Sequence, residues 1–322
     1  MIRIGVIADD LTGAADSAVP FLALGPVQVG LWPHVPSGSA VCLAVSTESR
    51  EAPSQVGFER SKTAARNLRL AGCDLLYRKV DSQLRGSVAA DLAGVLDGFP
   101  GPCVLAPALP EAGRRTVAGR QLFGTERVDI AQLLEKAGRP VVLGGIAEAA
   151  PGLIAVCDAE TDADLDVIAA AVAGLPEVIP AGSAGLASAL ARTLAGIRGL
   201  GGSGWPSCRR PVAVVGSPES RWQAAVAARL GWTVIRCGHS DPPPRLDAYD
   251  GLALTGGQTA AKVLTSLGAQ GLDLIGLAAP LMPVGRIVGG SRSGLPVALK
   301  SGAFGSAGTI SAALQSLRRG RR

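Results

Sequence analysis

The sequence predicts an α/β protein of two domains, each a mostly parallel sheet flanked by helices. Short apolar runs repeatedly end in polar or glycine-containing turns and give way to segments of helical spacing, the alternation expected of strand-helix-strand units. Hydrophobic residues make up 48% of the 322 and aromatic residues only 3%, so the cores must be built from Ala, Val, Leu and Ile, as suits helices packed on parallel strands. The stretch 197–211 holds six glycines or prolines between two such series. It predicts a linker, with a first domain of residues 1–200 and a second of residues 211–322.

The first strand is the run Ile4, Val6, Ile7 and Ala8, which stops at Asp9-Asp10-Leu11-Thr12-Gly13 before Ala14, Ala15, Ala18 and Val19 continue with helical spacing. In open α/β sheets ligands bind beyond the carboxyl ends of the strands, where Asp9, Asp10, Thr12 and Gly13 fall. A helix cap by Asp10 or Thr12 explains one of these residues. With Asp16 close by, at least one acid is left without a structural task. Strands are expected at 27–31 and 40–45, the second feeding Ser46-Thr47-Glu48-Ser49-Arg50, and a helix over 54–71. The strand at 74–77 runs into Arg78-Lys79-Val80-Asp81-Ser82-Gln83-Leu84-Arg85-Gly86, the densest cluster of functional chemistry in the chain. Arg85 could fork onto a carboxylate and Lys79 act as a point charge on a phosphate or hydroxyl. The alternative is a surface ion-pair set of Lys79, Asp81 and Arg85.

A helix is expected at 89–96 and a strand at 102–106, ending in a Pro-bounded loop that displays Glu111 and Arg114, either as part of a site or as plain surface. After a strand at 153–156, Thr161 caps a helix to Leu175 with Leu165, Ile168, Val172 and Leu175 on one face. The turn Ala181-Gly182-Ser183-Ala184-Gly185 either receives an anion on its amides or packs a helix closely on the sheet. In the second domain, strands at 212–215, 233–237, 251–255 and 295–299 alternate with helices ending near Leu230 and Leu267. Three strand ends carry small hydroxyl and glycine residues: Gly216-Ser217, Gly256-Gly257-Gln258-Thr259, and Lys300-Ser301-Gly302. Their amides make a phosphate cradle without a Walker sequence, although each turn alone is ordinary turn chemistry.

Several function classes are disfavoured. The net charge of +5 suits anionic small molecules and is too small to require nucleic acid, and the scarcity of aromatic residues argues against base stacking. Six scattered cysteines, the closest two being Cys208 and Cys237, give no zinc knuckle or redox pair and read as buried hydrophobes in a reducing cytoplasm. No signal peptide or membrane span is read, and His34 and His239 alone do not suggest histidine-based metal or triad chemistry. No metal ligand is assigned. An NAD-dependent dehydrogenase is disfavoured by the missing Gly-x-Gly-x-x-Gly turn and by the acidic pair where a pyrophosphate would lie.

The order of motifs resembles the four-carbon acid sugar kinase family: Ala8 to Ala14, Thr47 to Arg50, Lys79 to Gly86, Pro107 to Arg114, Gly182 to Ala187, Gly256 to Ala260, and Lys300 to Gly305. The resemblance spans nearly the whole chain. It implies an N-terminal domain binding a sugar acid, a C-terminal domain binding ATP, and phosphoryl transfer to a terminal hydroxyl of threonate, erythronate or a 3-oxo-tetronate. By motif, Asp9, Asp10, Thr12, Arg50, Lys79, Asp81, Ser82, Arg85 and Gly86 form the sugar-acid site. Ser217, Gly256, Gly257, Gln258, Thr259, Lys300 and Gly302 line the nucleotide site. The chain departs from the family pattern in Gln258, where an acid is usual, in Gln83, where Thr is usual, and in a short segment from Leu122 to Val142. Gln258 and the short middle segment favour the rival reading, a catalytically degenerate sugar-acid or nucleotide sensor on the same scaffold.

Phosphoryl transfer needs positioning and charge neutralisation, for which carboxylates, Lys, Arg and Mg²⁺ suffice. The expected mechanism has Asp9 or Asp10 orient the attacking hydroxyl and take its proton late, and Arg85 with Lys79 hold the substrate carboxylate. Mg-ATP would be gripped by the second-domain turns, and domain closure would exclude water. A sugar acid and ATP are the expected partners, with no nucleic acid and no membrane, and a homodimer is left open.

Overall fold

Ile4, Val6 and Ile7 do what branched apolar residues do in the middle of a parallel sheet: they form a strand buried along its whole length. The computed structural model describes residues 2–175, 177–196, 205–238, 240–302 and 304–319. The expected linker therefore lies largely outside the described residues. The chain opens with β1 (Ile4–Ala8), α1 (Leu11–Ala18), β2 (Val27–Leu31), β3 (Cys42–Ser46), α2 (Ser54–Leu70), β4 (Leu75–Lys79), α3 (Val88–Gly98) and β5 (Cys103–Ala106). Three short strands follow, β6 (Arg115–Val117), β7 (Arg120–Phe123) and β8 (Glu126–Asp129), which pair as a separate antiparallel sheet. The first lobe finishes with α4 (Ile130–Leu134), β9 (Val141–Leu143), β10 (Ile154–Val156), α5 (Asp162–Ala173), β11 (Ile179–Gly182) and α6 (Ala184–Ala195). The second lobe comprises β12 (Pro211–Val215), α7 (Arg221–Arg229), β13 (Val234–Arg236), β14 (Gly251–Thr255), α8 (Gly257–Ser266), β15 (Gly271–Ala279), β16 (Met282–Val288), β17 (Pro296–Lys300) and α9 (Thr309–Arg319).

The two lobes share one sheet. Its order is β13-β12-β14-β17-β16-β15-β2-β3-β1-β4-β11-β5-β10-β9, parallel except where β16 meets its two neighbours and where β15 meets β2. At the seam Gly271 lies opposite Gly30, and a Cβ on Gly271 would come within 2.2 Å of the Val29 carbonyl. The sequence reading places no strand between Leu267 and Leu295, where β15 and β16 form around Pro280 and Pro283. Their antiparallel pairing places those prolines at and beside the hairpin turn.

Helices flank both faces, and which face each takes is what makes a crevice. The residues of α1 pack with α5, α6 and α8, whereas those of α2 and α3 pack on the opposite side of β1 and β4. The chain thus leaves the neighbouring strands β1 and β4 in opposite directions, which opens a gap beyond their carboxyl ends. In the second lobe α8 shares the α1 face, and α7 and α9 cover the other. A second gap opens around the end of β14.

Thr161 caps α5 as expected, and does so reciprocally. Its hydroxyl accepts from the Asp164 amide at 3.2 Å, and the Asp164 carboxylate accepts from the Thr161 amide at 2.9 Å. Thr161→Ala is expected to lower stability by about 1 kcal/mol, read as a lower urea midpoint at unchanged slope. All six cysteines are free and buried, as small hydrophobes would be. No described helix is long and apolar enough to cross a membrane.

Candidate active site

Beyond the end of β1 the backbone turns through Asp9 and Asp10, and both carboxylates are buried. Asp10 has extended backbone and caps α1, accepting from the Gly13 amide at 2.9 Å and from the Thr12 hydroxyl at 2.8 Å. Arg50, delivered by the turn after β3, then ties the pair together. Its Nε and Nη2 donate to the two Asp9 oxygens at 2.7 Å each, and Nη1 and Nη2 donate to the two Asp10 oxygens at 3.0 Å. Burial would push the Asp9 carboxyl up, but Arg50, with Lys79 and Arg78 nearby, holds it below the ordinary carboxylate range. Two adjacent acids and one planar cation thus form a rigid unit.

The end of β4 supplies the opposite wall. Asp81 is buried and accepts from Nε and Nη2 of Arg85 at 2.8 and 2.9 Å, and Arg50 approaches it to 3.8 Å. Burial works against its charge, yet Arg85, Arg50 and Lys79 hold the Asp81 carboxyl well below its usual value. Arg85 itself is half exposed. The surface ion-pair reading of this stretch therefore fits Arg85 alone, because Lys79 is buried and, among the described residues, makes no hydrogen bond or ion pair. Gly86, with φ of 83°, adopts a left-handed turn over Asp9 and Arg50, a conformation that glycine takes without strain. Ser82 accepts from Arg114 Nη1 and is held further by Gln121, whose Nε2 donates to the Ser82 carbonyl at 2.8 Å.

Gln121 is a residue that the sequence reading misses. It sits on β7, and its Oε1 accepts from the Thr116 hydroxyl at 2.7 Å. The available signal is the Ala118-Gly119 pair, at φ of 48° and 71°, which makes a tight hairpin turn between two short strands. Of the two residues displayed by the loop after β5, Arg114 is buried and Glu111 is exposed. The Arg114 guanidinium also lies 4.8 Å from the centre of the Phe304 ring, a contact between lobes. The small-residue turn before α6 is closely packed: a Cβ on Gly182 would meet the Ala106 carbonyl at 2.4 Å, and Ser183 caps the helix through the Gly185 amide.

The second lobe brings its three turns together around the end of β14. Gly256 has φ of 86° and packs on Ser217, and a Cβ on Gly302 would lie 2.8 Å from Ser217 Cβ and Oγ. Lys300 is buried and donates to Ser301 O at 2.9 Å and to Ser220 Oγ and Gly302 O at 3.2 Å, so it organises the loop; burial draws its pKa down to about 8. Thr259 is buried under Gly216, whereas Gln258 is exposed. The first amides of α8 point out of the loop without intrahelical acceptors, as at any helix start. Bare backbone, small residues and helix amides suit a polyphosphate. Among the described residues no group of three or more His, Cys, Asp or Glu is placed to hold a metal ion.

The lobes meet face to face. A Cβ on Gly257 would fall 2.3 Å from Asp10 Oδ2, so the start of α8 rests directly on the β1 carboxylate. Between them is a small polar cleft of about 30 Å³ lined by Asp10, Asp16, Lys79, Ser82, Ser301 and Phe304, among others. Asp9 does not line it and supports it from behind through Arg50.

Two family models match the chain: "Sugar-binding N-terminal domain" over residues 4–141 and "Nucleotide-binding C-terminal domain" over residues 243–310. The D-threonate kinase of Bordetella bronchiseptica is 31% identical over 98% of this chain and 97% of its own length. The alignment runs to 396 positions against 322 residues, so the relative carries segments that have no counterpart in this chain. The 3-oxo-tetronate kinase of Escherichia coli matches 37% of the chain and 33% of its own length at 32% identity. A Bordetella bronchiseptica structure with bound citrate, a domain-swapped dimer, is 27% identical over 98% of both chains with a TM-score of 0.53. A Salmonella typhimurium protein described as a putative tRNA synthase shares the fold at a TM-score of 0.78 and 21% identity, covering 98% of this chain and all of the other.

Proposed function

The chain belongs to the four-carbon acid sugar kinase family, and from this we propose that it transfers the terminal phosphoryl group of ATP to a terminal hydroxyl of a four-carbon sugar acid. One observation carries the reading: the glycine turn of the nucleotide lobe closes directly on the strand-end carboxylates of the sugar lobe. In a kinase these two surfaces must meet, because the hydroxyl and the γ-phosphorus react across them. Threonate, erythronate and 3-oxo-tetronate are the acids to test. The sugar lobe is taken as residues 1–200 and the nucleotide lobe as 211–322.

Each side chain then has a task. Lys79, a buried cation lining the cleft, meets the substrate carboxylate or the transferred phosphoryl group. Arg50 neutralises Asp9 and Asp10 and presents its remaining face to the cleft, and Thr12 and Ser82 offer hydroxyls. Asp81 and Gly86 shape the loop, and Arg85 at its exposed rim meets the acid as it enters. Ser217, Gly256, Gly257, Gln258, Thr259, Lys300 and Gly302 form the phosphate loop. Mg²⁺ would arrive with ATP and neutralise charge on the phosphates, since the described residues offer no preformed cage. A reaction that consumes ATP suits a cytoplasmic enzyme, and the domain-swapped dimer of the Bordetella protein supports testing for a homodimer.

The test is an ADP-release assay with Mg-ATP against D- and L-threonate, D- and L-erythronate and the 3-oxo-tetronates. Turnover of one acid is expected, with at least a tenfold loss in Asp10→Asn, which keeps a capping oxygen but removes the charge and one of the two acceptors that hold Arg50. Silence on all of them with ATP binding intact would sink the reading.

A further inference from the structure

Three carboxylates line the cleft, and two of them are fully committed. Asp10 accepts four hydrogen bonds, from Gly13, Thr12 and twice from Arg50, which is all that a carboxylate can take. Asp81 is clasped by Arg85 and also accepts from the Gln83 amide at 3.2 Å. The third is Asp16, on the same helix as Thr12 and one turn further on, so both sit on one face of α1. Asp16 is only 8% exposed, yet its Oδ1 is buried without any hydrogen-bond partner. An orphaned buried carboxylate oxygen is costly and calls for a reason.

Its surroundings supply one. Asp16 lines both the polar cleft and a second cavity of about 500 Å³, whose walls include Val19, Pro20, Leu277 and Leu281. The cleft itself is too small for a four-carbon acid. A substrate lying between that cavity and the phosphate loop would meet the Asp16 carboxylate.

Resting on the kinase reading above, we propose that Asp16 is the carboxylate that receives the proton of the attacking hydroxyl. The hydroxyl oxygen forms a bond to the γ-phosphorus as the bond from that phosphorus to the β,γ-bridging oxygen breaks. The bond electrons leave on the nucleoside diphosphate, and the hydroxyl proton passes to the Asp16 carboxylate and from there to water. Asp9 and Asp10, to which the sequence alone assigns this proton, serve instead as the anchor of Arg50. The charged groups around Asp16 are Lys79 from β4, Asp10 at the head of its own helix, Glu111 from the turn after β5, and Lys300 at the end of β17. Burial raises the Asp16 carboxyl well above its ordinary value, and Lys79, which draws it back, favours the ionised form that can accept a proton.

The experiment measures kcat and KM against pH for wild type, Asp16→Asn and Asp16→Glu on the acid that wild type turns over, with thermal unfolding of each protein. Asp16→Asn is expected to lower kcat at least 100-fold with KM within threefold and an unchanged unfolding midpoint. The acidic limb of the wild-type kcat profile should vanish from its residual activity, and Asp16→Glu should keep that limb with part of the rate. A kcat for Asp16→Asn within threefold of wild type would overturn the assignment. Recovery of its rate by excess Mg²⁺ would do so as well, giving the carboxylate to the metal. In both cases wild-type turnover would leave the kinase reading standing, whereas wild-type silence on every acid would overturn both together.

Discussion

Arg50→Met is expected to destabilise the protein by about 3–5 kcal/mol and to abolish turnover. The arginine makes four hydrogen bonds to two buried carboxylates, and methionine fills much of its volume while removing all four bonds and the nearest counter-charge. The loss should depend on pH with a definite sign. In wild type the Asp9 carboxyl is held below its ordinary 3.8, so its ionised form contributes stability above about pH 4 that is lost as pH falls through the lower folded value. In the variant burial acts on Asp9 without Arg50 to oppose it and raises its carboxyl. Protonation then relieves the variant as pH falls through that raised value, while wild type keeps its stability down to about pH 4. The gap between the two urea-unfolding free energies should therefore narrow between pH 7 and pH 4. A gap independent of pH would show that the arginine acts only through packing.

Gly257→Ala is expected to lower kcat/KM on the sugar acid by about 100-fold while moving the unfolding midpoint little. The added methyl would sit 2.3 Å from Asp10 Oδ2, well inside contact distance, and neither backbone nor buried acid can yield that far. The clash lies between lobes, so the cleft opens to relieve it and neither core is disturbed. A displacement on the order of 1 Å at the reacting centre is enough for a loss of this size. ATP binding, which needs only the second lobe, should weaken much less than turnover. Equal losses in both would place the damage inside the phosphate loop.

Much of this could be read from the chain. β1, α1, α2, β4, α5, β12 and β14 stand close to their expected positions because each is specified locally, by a run of branched apolar residues or by a cap and a spaced face. The turns Asp9-Asp10, Lys79 to Gly86, Gly256-Gly257 and Lys300 to Gly302 were legible because small and charged residues stand where an apolar strand stops. Gln121 was not, because its task depends on a hairpin folding back over Ser82. Nor were β15 and β16, whose prolines argue against strands until the turn between them is known.

The sequence by itself determined the alternation of strand and helix, the positions of the strand ends and the inventory of charges placed there. It could do so because burial period, turn chemistry and capping act over a few residues. Only the tertiary structure decided which of those charges have partners. The Arg50 guanidinium meets Asp9 and Asp10 across about 40 residues, Gly257 comes to rest on Asp10 from the other lobe, and one oxygen of Asp16 is left unpaired. Pairing of this kind depends on distances that close only when helices leave neighbouring strands on opposite faces and two lobes join along β2 and β15.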